Sequence, residues 1–310
     1  MKKLIMTIAA IVLAAGLSFA QDMSEITEIA KQGEEAFQNG DKAEALSLFT
    51  KALELAEKAG DAGKDIVEQC KTAIPTISLS LAKGVFNEQN YAEAAAKFKE
   101  VAALAEKYEA YDIADEALAL VPKALQGAAN KLFNAQDFAG AAEAYKQAIE
   151  ADPENGKLYI RLGAALNGSG NIDAAVEAFN KAAELGQEKD AKKQISGIYL
   201  KQASQCLKNK KYADAVTNAE KVLELGDNAQ AYQIAGQASQ ISGKNAAAIK
   251  YFEKYLEIAP NAGNAGQIAY TVGALYQTAK NNAKAKEYYQ KAVNDPRFGE
   301  EAKKMLNALK

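Results

Sequence analysis

A three-point pattern, Ala-x3-aromatic-x2-small or apolar, returns seven times in phase along the 310 residues and constrains the fold more than any other feature. Its copies are Ala45-Phe49-Ala52, Ala94-Phe98-Val101, Ala141-Tyr145-Ala148, Ala175-Phe179-Ala182, Ala215-Ala219-Val222, Ala248-Phe252-Tyr255 and Ala285-Tyr289-Ala292, the fifth lacking its aromatic residue. Twelve residues ahead of each leading alanine stands another small residue: Gly33, Ala82, Ala129, Gly163, Ala203, Gly236 and Gly273. A polar turn such as Asn39-Gly40-Asp41 or Ser169-Gly170-Asn171 falls between the two. The pattern predicts helix-turn-helix units in which the small residue lets the second helix cross the first closely. The alanine of the second helix sits at the contact, and its aromatic residue is expected to fill the gap to the next unit. One such unit buries too little apolar surface to stand alone, so units of this kind stack. Alanine, about a fifth of the chain, is the best helix former and lets backbones approach; five prolines in all agree with a helical chain.

These positions resemble the tetratricopeptide repeat, with its Leu-Gly, Tyr, Gly, Ala, Phe, Ala and Pro places. The fourth unit matches best, through Tyr159, Leu162-Gly163, Gly170, Ala175, Phe179 and Ala182. The resemblance implies an all-α, right-handed α-solenoid of about seven repeats, closed at its end by a capping helix over 298–309. Approximate repeat bounds are 24–60, 64–110, 111–154, 156–188, 192–227, 229–260 and 263–296, read as one solenoid domain over 21–310. Against the family period of 34, the first two steps between leading alanines are 49 and 47 residues long. Apolar spacing runs on through a proline in both (Ile66, Cys70, Ile74, Ile77, Leu81; Ile113, Ala117, Val121, Leu125). Lengthened first helices are therefore expected in repeats two and three, kinked or started afresh at Pro75 and Pro122. An offset of 47 aligns 66–98 with 113–145, the mark of a local duplication.

The chemistry available is narrow. With no histidine there is no Ser-His-Asp triad, no Cys-His pair and no imidazole ligand, and the two cysteines, Cys70 and Cys206, are too far apart in sequence for a zinc chelate. No cofactor is expected. A net charge of −3 offers no basis for binding nucleic acid. Gly168-Ser169-Gly170 lacks the strand and lysine of a phosphate loop, and Asp152-Pro153-Glu154-Asn155-Gly156 lacks the alternating ligands of a calcium loop. The chain does not read as an enzyme. Cys206 takes the place of a large apolar residue and is expected to be buried, and the solenoid keeps it too far from Cys70 for a disulfide.

The first twenty residues read as a cleavable signal peptide. Met1-Lys2-Lys3 is basic, Leu4 to Gly16 is apolar apart from Thr7, and Ser18-Phe19-Ala20 is a small-x-small cleavage site ahead of Gln21-Asp22. The apolar run is too short for a comfortable span of about 20 residues, and no later stretch is apolar enough to insert in a bilayer. Cleavage takes the net charge to −5. The expected destination is the periplasm of a bacterium, with secretion as the alternative.

In proteins with this repeat the first helices line a concave face where peptides bind, and the resemblance implies the same here. Four residues beyond the small residue of each first helix stand Phe37, Phe86 and Phe133, followed in later repeats by Asn167, Leu207, Gln240 and Gln277. The three rings either form an apolar groove for a ligand or belong to the core of the lengthened half. The two-carboxylate clamp that some family members use is matched only by Lys157 and Arg161, since Leu79, Lys83 and Gly127 occupy its other places. Lys157 and Arg161, with Asn130 nearby, could still hold one carboxylate. A secondary candidate is the amide set Gln233, Gln237, Gln240 and Gln277, suited to a peptide backbone or to sugar hydroxyls. The leading reading is a cell-envelope adaptor or scaffold for a protein or peptide partner. A glycan- or small-ligand-binding accessory protein and a self-associating spacer are the alternatives.

Overall fold

The computed structural model describes residues 17–309, with side chains from Asp22 onward. The signal-peptide segment falls almost wholly outside these residues. All regular structure among the described residues is helical. Helices pair as α1 (Leu17–Asn39) with α2 (Lys42–Lys58), α3 (Lys64–Asn87) with α4 (Tyr91–Lys107), and α5 (Tyr111–Asn134) with α6 (Phe138–Ala151). There follow α7 (Gly156–Gly168), α8 (Ile172–Ala182), α9 (Glu188–Lys208), α10 (Tyr212–Leu223), α11 (Ala229–Ile241), α12 (Asn245–Ile258), α13 (Ala265–Thr278), α14 (Asn282–Ala292) and α15 (Gly299–Ala308). The described residues up to Asn171 form one compact unit and those from Ile172 a second, so the division falls between α7 and α8. No helix among them is long and apolar enough to cross a membrane.

The repeating alanines explain the stacking. Ala45, Ala94, Ala141, Ala175, Ala215, Ala248 and Ala285 have no exposed surface at all. The aromatic residue packs in two directions: Phe49 clusters with Ile66 and Cys70 of α3, Phe98 with Ala117 and Val121 of α5, and Phe252 with Ile268 and Val272 of α13, while a second contact lies within the hairpin. A methyl group added at Gly33 would meet the ring of Phe49 at 3.1 Å, one at Gly236 would meet Phe252 at 2.5 Å, and one at Gly273 would meet Tyr289 at 2.8 Å. Each ring thus lies on the bare backbone of the first helix in its own hairpin. The small residue and the aromatic are the two halves of one contact, which is why they keep a fixed sequence distance.

The seven turns are one turn made with different residues. The residue five before each leading alanine has a positive φ: Gly40, Gln89, Gln136, Gly170, Lys210, Gly243 and Lys280 lie between 59° and 92°. The next amide bonds back to the first helix, as in Asp41 N–H to Ala36 C=O at 2.8 Å and Lys211 N–H to Cys206 C=O at 2.8 Å. This is the left-handed closure of a helix end, which glycine adopts without strain and other residues adopt at a cost of about 1 kcal/mol or more.

First helices α3 and α5 are indeed long, 24 residues each, and related by the offset of 47 from first residue to last. Neither is restarted at its proline: Pro75 and Pro122 lie inside continuous helices, and Pro75 is fully buried. A third long first helix, α9 with 21 residues, accounts for the 40-residue step into the fifth repeat. It is set off from α8 by a break in which Gly186 has φ of 83°. The terminal helix α15 covers the end of the second unit, placing Ala302 in a cluster with Ala269, Tyr289 and Ala292. Both thiols are free. Cys70 is buried, and desolvation pushes its thiol up to about 12; Cys206 is only half-buried, its sulfur 3.9 Å from the Asn218 amide nitrogen.

Candidate functional site

Phe37, Phe86 and Phe133 occupy the last turns of α1, α3 and α5, and all three are half-buried. Phe86 stands edge-on to Tyr91 with centroids 5.2 Å apart and lies 6.2 Å from Phe98; Phe133 stands edge-on to Phe138 at 5.3 Å. Tyr91 and Phe138 open the second helices of the same hairpins, and their rings continue onto the next first helix. A methyl group at Gly127 would lie 2.7 Å from Tyr91, and one at Gly168 would lie 2.7 Å from Phe138. A first-helix phenylalanine, a second-helix ring and a glycine of the following repeat thus form a wedge, twice over. Phe37 has Lys42 at the start of its second helix instead of a ring and packs against the apolar cluster of α1–α3. The repeat-to-repeat role of these rings was not legible in the sequence. The signal that could have found it is the aromatic pair five residues apart, 86/91 and 133/138.

Asn130 lies one turn before Phe133 on α5, and its side-chain carbonyl accepts a 2.6 Å hydrogen bond from the Tyr145 hydroxyl of α6. Burial raises the Tyr145 phenol above its ordinary value, and the positive charge of Arg161 on α7 pulls it partly back. Arg161 is therefore a close electrostatic neighbour of this pair, and both it and Lys157, one turn earlier on α7, are exposed. The structure bonds Asn130 to Tyr145 one turn from Phe133, and the charge of exposed Arg161 on α7 is felt by the same phenol. Tyr145 supplies what sequence reading missed: a fully buried core ring whose hydroxyl fixes the side chain of a candidate binding residue, Asn130, from beneath.

The glutamines of the second unit are partly committed. The Gln277 side-chain carbonyl accepts from Tyr289 at 2.7 Å, so both repeats with tyrosine in the aromatic place satisfy its hydroxyl with a first-helix amide. Gln233 and Gln237 are half-buried on α11, and Gln240 is exposed at its end. A cleft of about 660 Å³ lies instead between α12, the start of α13 and α14, lined by Glu253, Leu256, Pro260, Gly266, Tyr288 and Lys291. Its polar groups are engaged with one another. One oxygen of Glu253 accepts from Tyr276 at 2.7 Å and from Tyr288 at 2.9 Å, while Lys291 pairs with Glu287 at 3.0 Å and sits 4.3 Å from the Tyr288 ring centroid. No group of three or more acidic or cysteine side chains that could hold a metal occurs among the described residues.

Comparison with known proteins agrees with the geometry. Sequence models of the tetratricopeptide repeat match residues 132–195 and, in a second form, 229–262 and 266–294. No curated protein matches the sequence. Among solved structures, a crystal structure of MamA is similar at 25% identity over 57% of this chain and 96% of its own, with a TM-score of 0.32. YrrB, described as a TPR protein with an unusual peptide-binding site, is similar at 22% identity over 58% of this chain and 91% of its own, with a TM-score of 0.33. The C-terminal part of a TPR repeat-containing protein from Cytophaga hutchinsonii is similar at 17% identity over 74% and 99%, with a TM-score of 0.37. At such scores nothing about this chain's partners follows from these three. The chain is all-α in its described residues and carries tetratricopeptide repeats over residues 132–195, 229–262 and 266–294.

Proposed function

We propose that the protein is a non-catalytic adaptor of the bacterial cell envelope that holds a peptide segment of a partner on the first-helix side of its first unit. One observation carries the reading: the Asn130 side chain is fixed by the buried Tyr145 hydroxyl one turn from the half-buried ring of Phe133, with exposed Arg161 on the next first helix acting on the same phenol by its charge. A cation, an amide and a ring on neighbouring first helices suit a carboxylate or peptide carbonyl with an apolar neighbour. Arg161 offers a planar fork of donors, Asn130 is held in place by Tyr145, and Lys157 adds a second charge. Tetratricopeptide repeats generally serve protein or peptide binding, which supports the class of function. The basic start, apolar run and Ser18-Phe19-Ala20 of the first twenty residues support export.

Affinity isolation from an envelope extract tests the reading. Wild-type protein is expected to retain a defined set of partners that Arg161→Glu and Phe133→Leu lose, with melting curves close to wild type. Recovery of the same partners by both variants sinks it. N-terminal sequencing of the protein recovered from the envelope should begin at Gln21; a chain retaining Met1 in the cytoplasm would remove the export part.

A further inference from the structure

The duplicated halves of the first unit differ in one respect that points outward. At the offset of 47, Lys64 and Lys71 of α3 correspond to Tyr111 and Leu118 of α5. Tyr111 is 62% exposed and Leu118 46%, among the largest exposures of big apolar side chains in the protein. Seven residues apart, they lie on one stripe of the helix that continues to half-buried Leu125. The same stripe of α3 also faces outward, with Lys64 exposed and Lys71 half-exposed, so the second copy differs in carrying apolar residues there; the positions beside the stripe differ in cover. In the first copy α4 runs for 17 residues, and its last turn sets Leu104 and Tyr108 against the cluster containing Ile66 and Cys70. In the second copy α6 ends after 14 residues, ahead of Asp152-Pro153, and α7 has only 13 residues beside the 24 of α5. Ile66 and Pro75 are accordingly buried, whereas their counterparts Ile113 and Pro122 are half-buried.

The charge along the stripe itself is acidic, with Lys107 and Lys123 just beyond its two ends. From Tyr108 to Pro122 there are four acids, Glu109, Asp112, Asp115 and Glu116, and no lysine or arginine. Glu116 is paired with Lys83 at 2.5 Å; Asp115 lies between Tyr111 and Leu118 along the helix. A second copy of this chain would bring acid against acid, and an anionic lipid surface would be repelled likewise.

We infer that the N-terminal half of α5 is a docking surface for a basic amphipathic helix of a partner protein, whose apolar side chains lie along Tyr111 and Leu118 and whose lysines or arginines face Asp112 and Asp115. The helix would complete the layer that α6 leaves short. This surface is separate from the Asn130–Arg161 face and stands or falls without it.

The probe is a labelled helical peptide of about 18 residues, leucine on one face and lysine elsewhere, titrated into the full-length mature chain and followed by fluorescence anisotropy. Tyr111→Lys with Leu118→Lys, which installs the residues of the first copy, should weaken binding at least ~10-fold while circular dichroism stays unchanged. Leu118→Gln alone should weaken it in the same direction and serves if the double variant folds poorly. Asp112→Asn with Asp115→Asn should cost about 3-fold at low salt and little at high salt. The inference is overturned if wild type does not bind the peptide, or if the Tyr111 and Leu118 variants bind it equally well. It is overturned too if a glutamate-for-lysine peptide binds equally well. A wild-type dimer in sedimentation that Tyr111→Lys/Leu118→Lys dissolves would also overturn it, by making a second copy the occupant.

Discussion

The two compact units fasten one repeat to the next by different chemistry and at different places. In the first unit the end of the first helix and the start of the second carry ring pairs, Phe86 with Tyr91 and Phe133 with Phe138, each wedged onto a glycine of the following repeat. The same two places in the last two repeats are Gln240 with Asn245 and Gln277 with Asn282. The second unit makes its connection between second helices instead. Tyr251 donates to Glu220 at 2.5 Å and Tyr288 to Glu253 at 2.9 Å, each pair standing three and five residues beyond consecutive leading alanines. Between the second and third repeats those places hold Ala144 and Lys99, which can form no such bond. One repeat geometry therefore tolerates either an apolar wedge at the turn or a hydroxyl–carboxylate bond on the second helices. The first leaves aromatic surface near the face proposed for binding.

The comparison breaks most readily at the wedge. Phe86→Ala should destabilise the protein by about 2–3 kcal/mol, below the range for a fully buried ring because Phe86 is half-exposed. Gln240→Ala, the same place in the second unit, should stay within about 0.5 kcal/mol. Urea melts that show equal losses would erase the distinction. Next in size, Glu253→Ala strands two tyrosine hydroxyls and should cost about 1–3 kcal/mol; Lys99→Ala, its exposed counterpart, should cost less than about 0.5 kcal/mol. If Glu253→Ala melts like wild type, the Tyr–Glu connection is ornamental.

A smaller effect separates the units at alkaline pH. Burial, together with bonds to Glu220 and Glu253, pushes the phenols of Tyr251 and Tyr276 up to about 12, and burial does the same to Tyr289. All three belong to the second unit. A phenol raised in the folded state contributes stability that is fully present below its unfolded value near 10 and is lost as pH rises through about 12. Ultraviolet titration should show a group of tyrosines ionising near pH 12, after the exposed ones, with helicity of the second unit falling in that window. Ionisation of every tyrosine near pH 10 without loss of helix would contradict the bonding.

What could be read from the sequence was whatever steric contact fixes at a constant spacing. The leading alanines and the small residues opposite them tolerate no larger side chain, so seven hairpins, the long helices α3 and α5 and the terminal helix α15 were legible. Three things were not. The left-handed turn is made by Gln89, Gln136, Lys210 and Lys280 as well as by glycine, because the helix closure around it overrides local preference. Continuous helix through Pro75 follows from packing on both sides, which outweighs the lost hydrogen bond. The destination of amides such as Asn130 and Gln277 depends on whether a ring fifteen or twelve residues away ends in a hydroxyl, so Asn130 and Gln277 look alike as solvent-facing residues in sequence and differ only once Tyr145 and Tyr289 are placed. At the candidate site the residue types were legible, and the bond from Tyr145 to Asn130 was not.

The most direct test of the proposed function is the partner set retained from envelope extract by wild type and by Arg161→Glu, whose exposed side chain can reverse charge without disturbing the fold. Loss of the wild-type partners at unchanged melting temperature is the predicted result. An identical partner set from both proteins would contradict binding at the Asn130–Arg161 face.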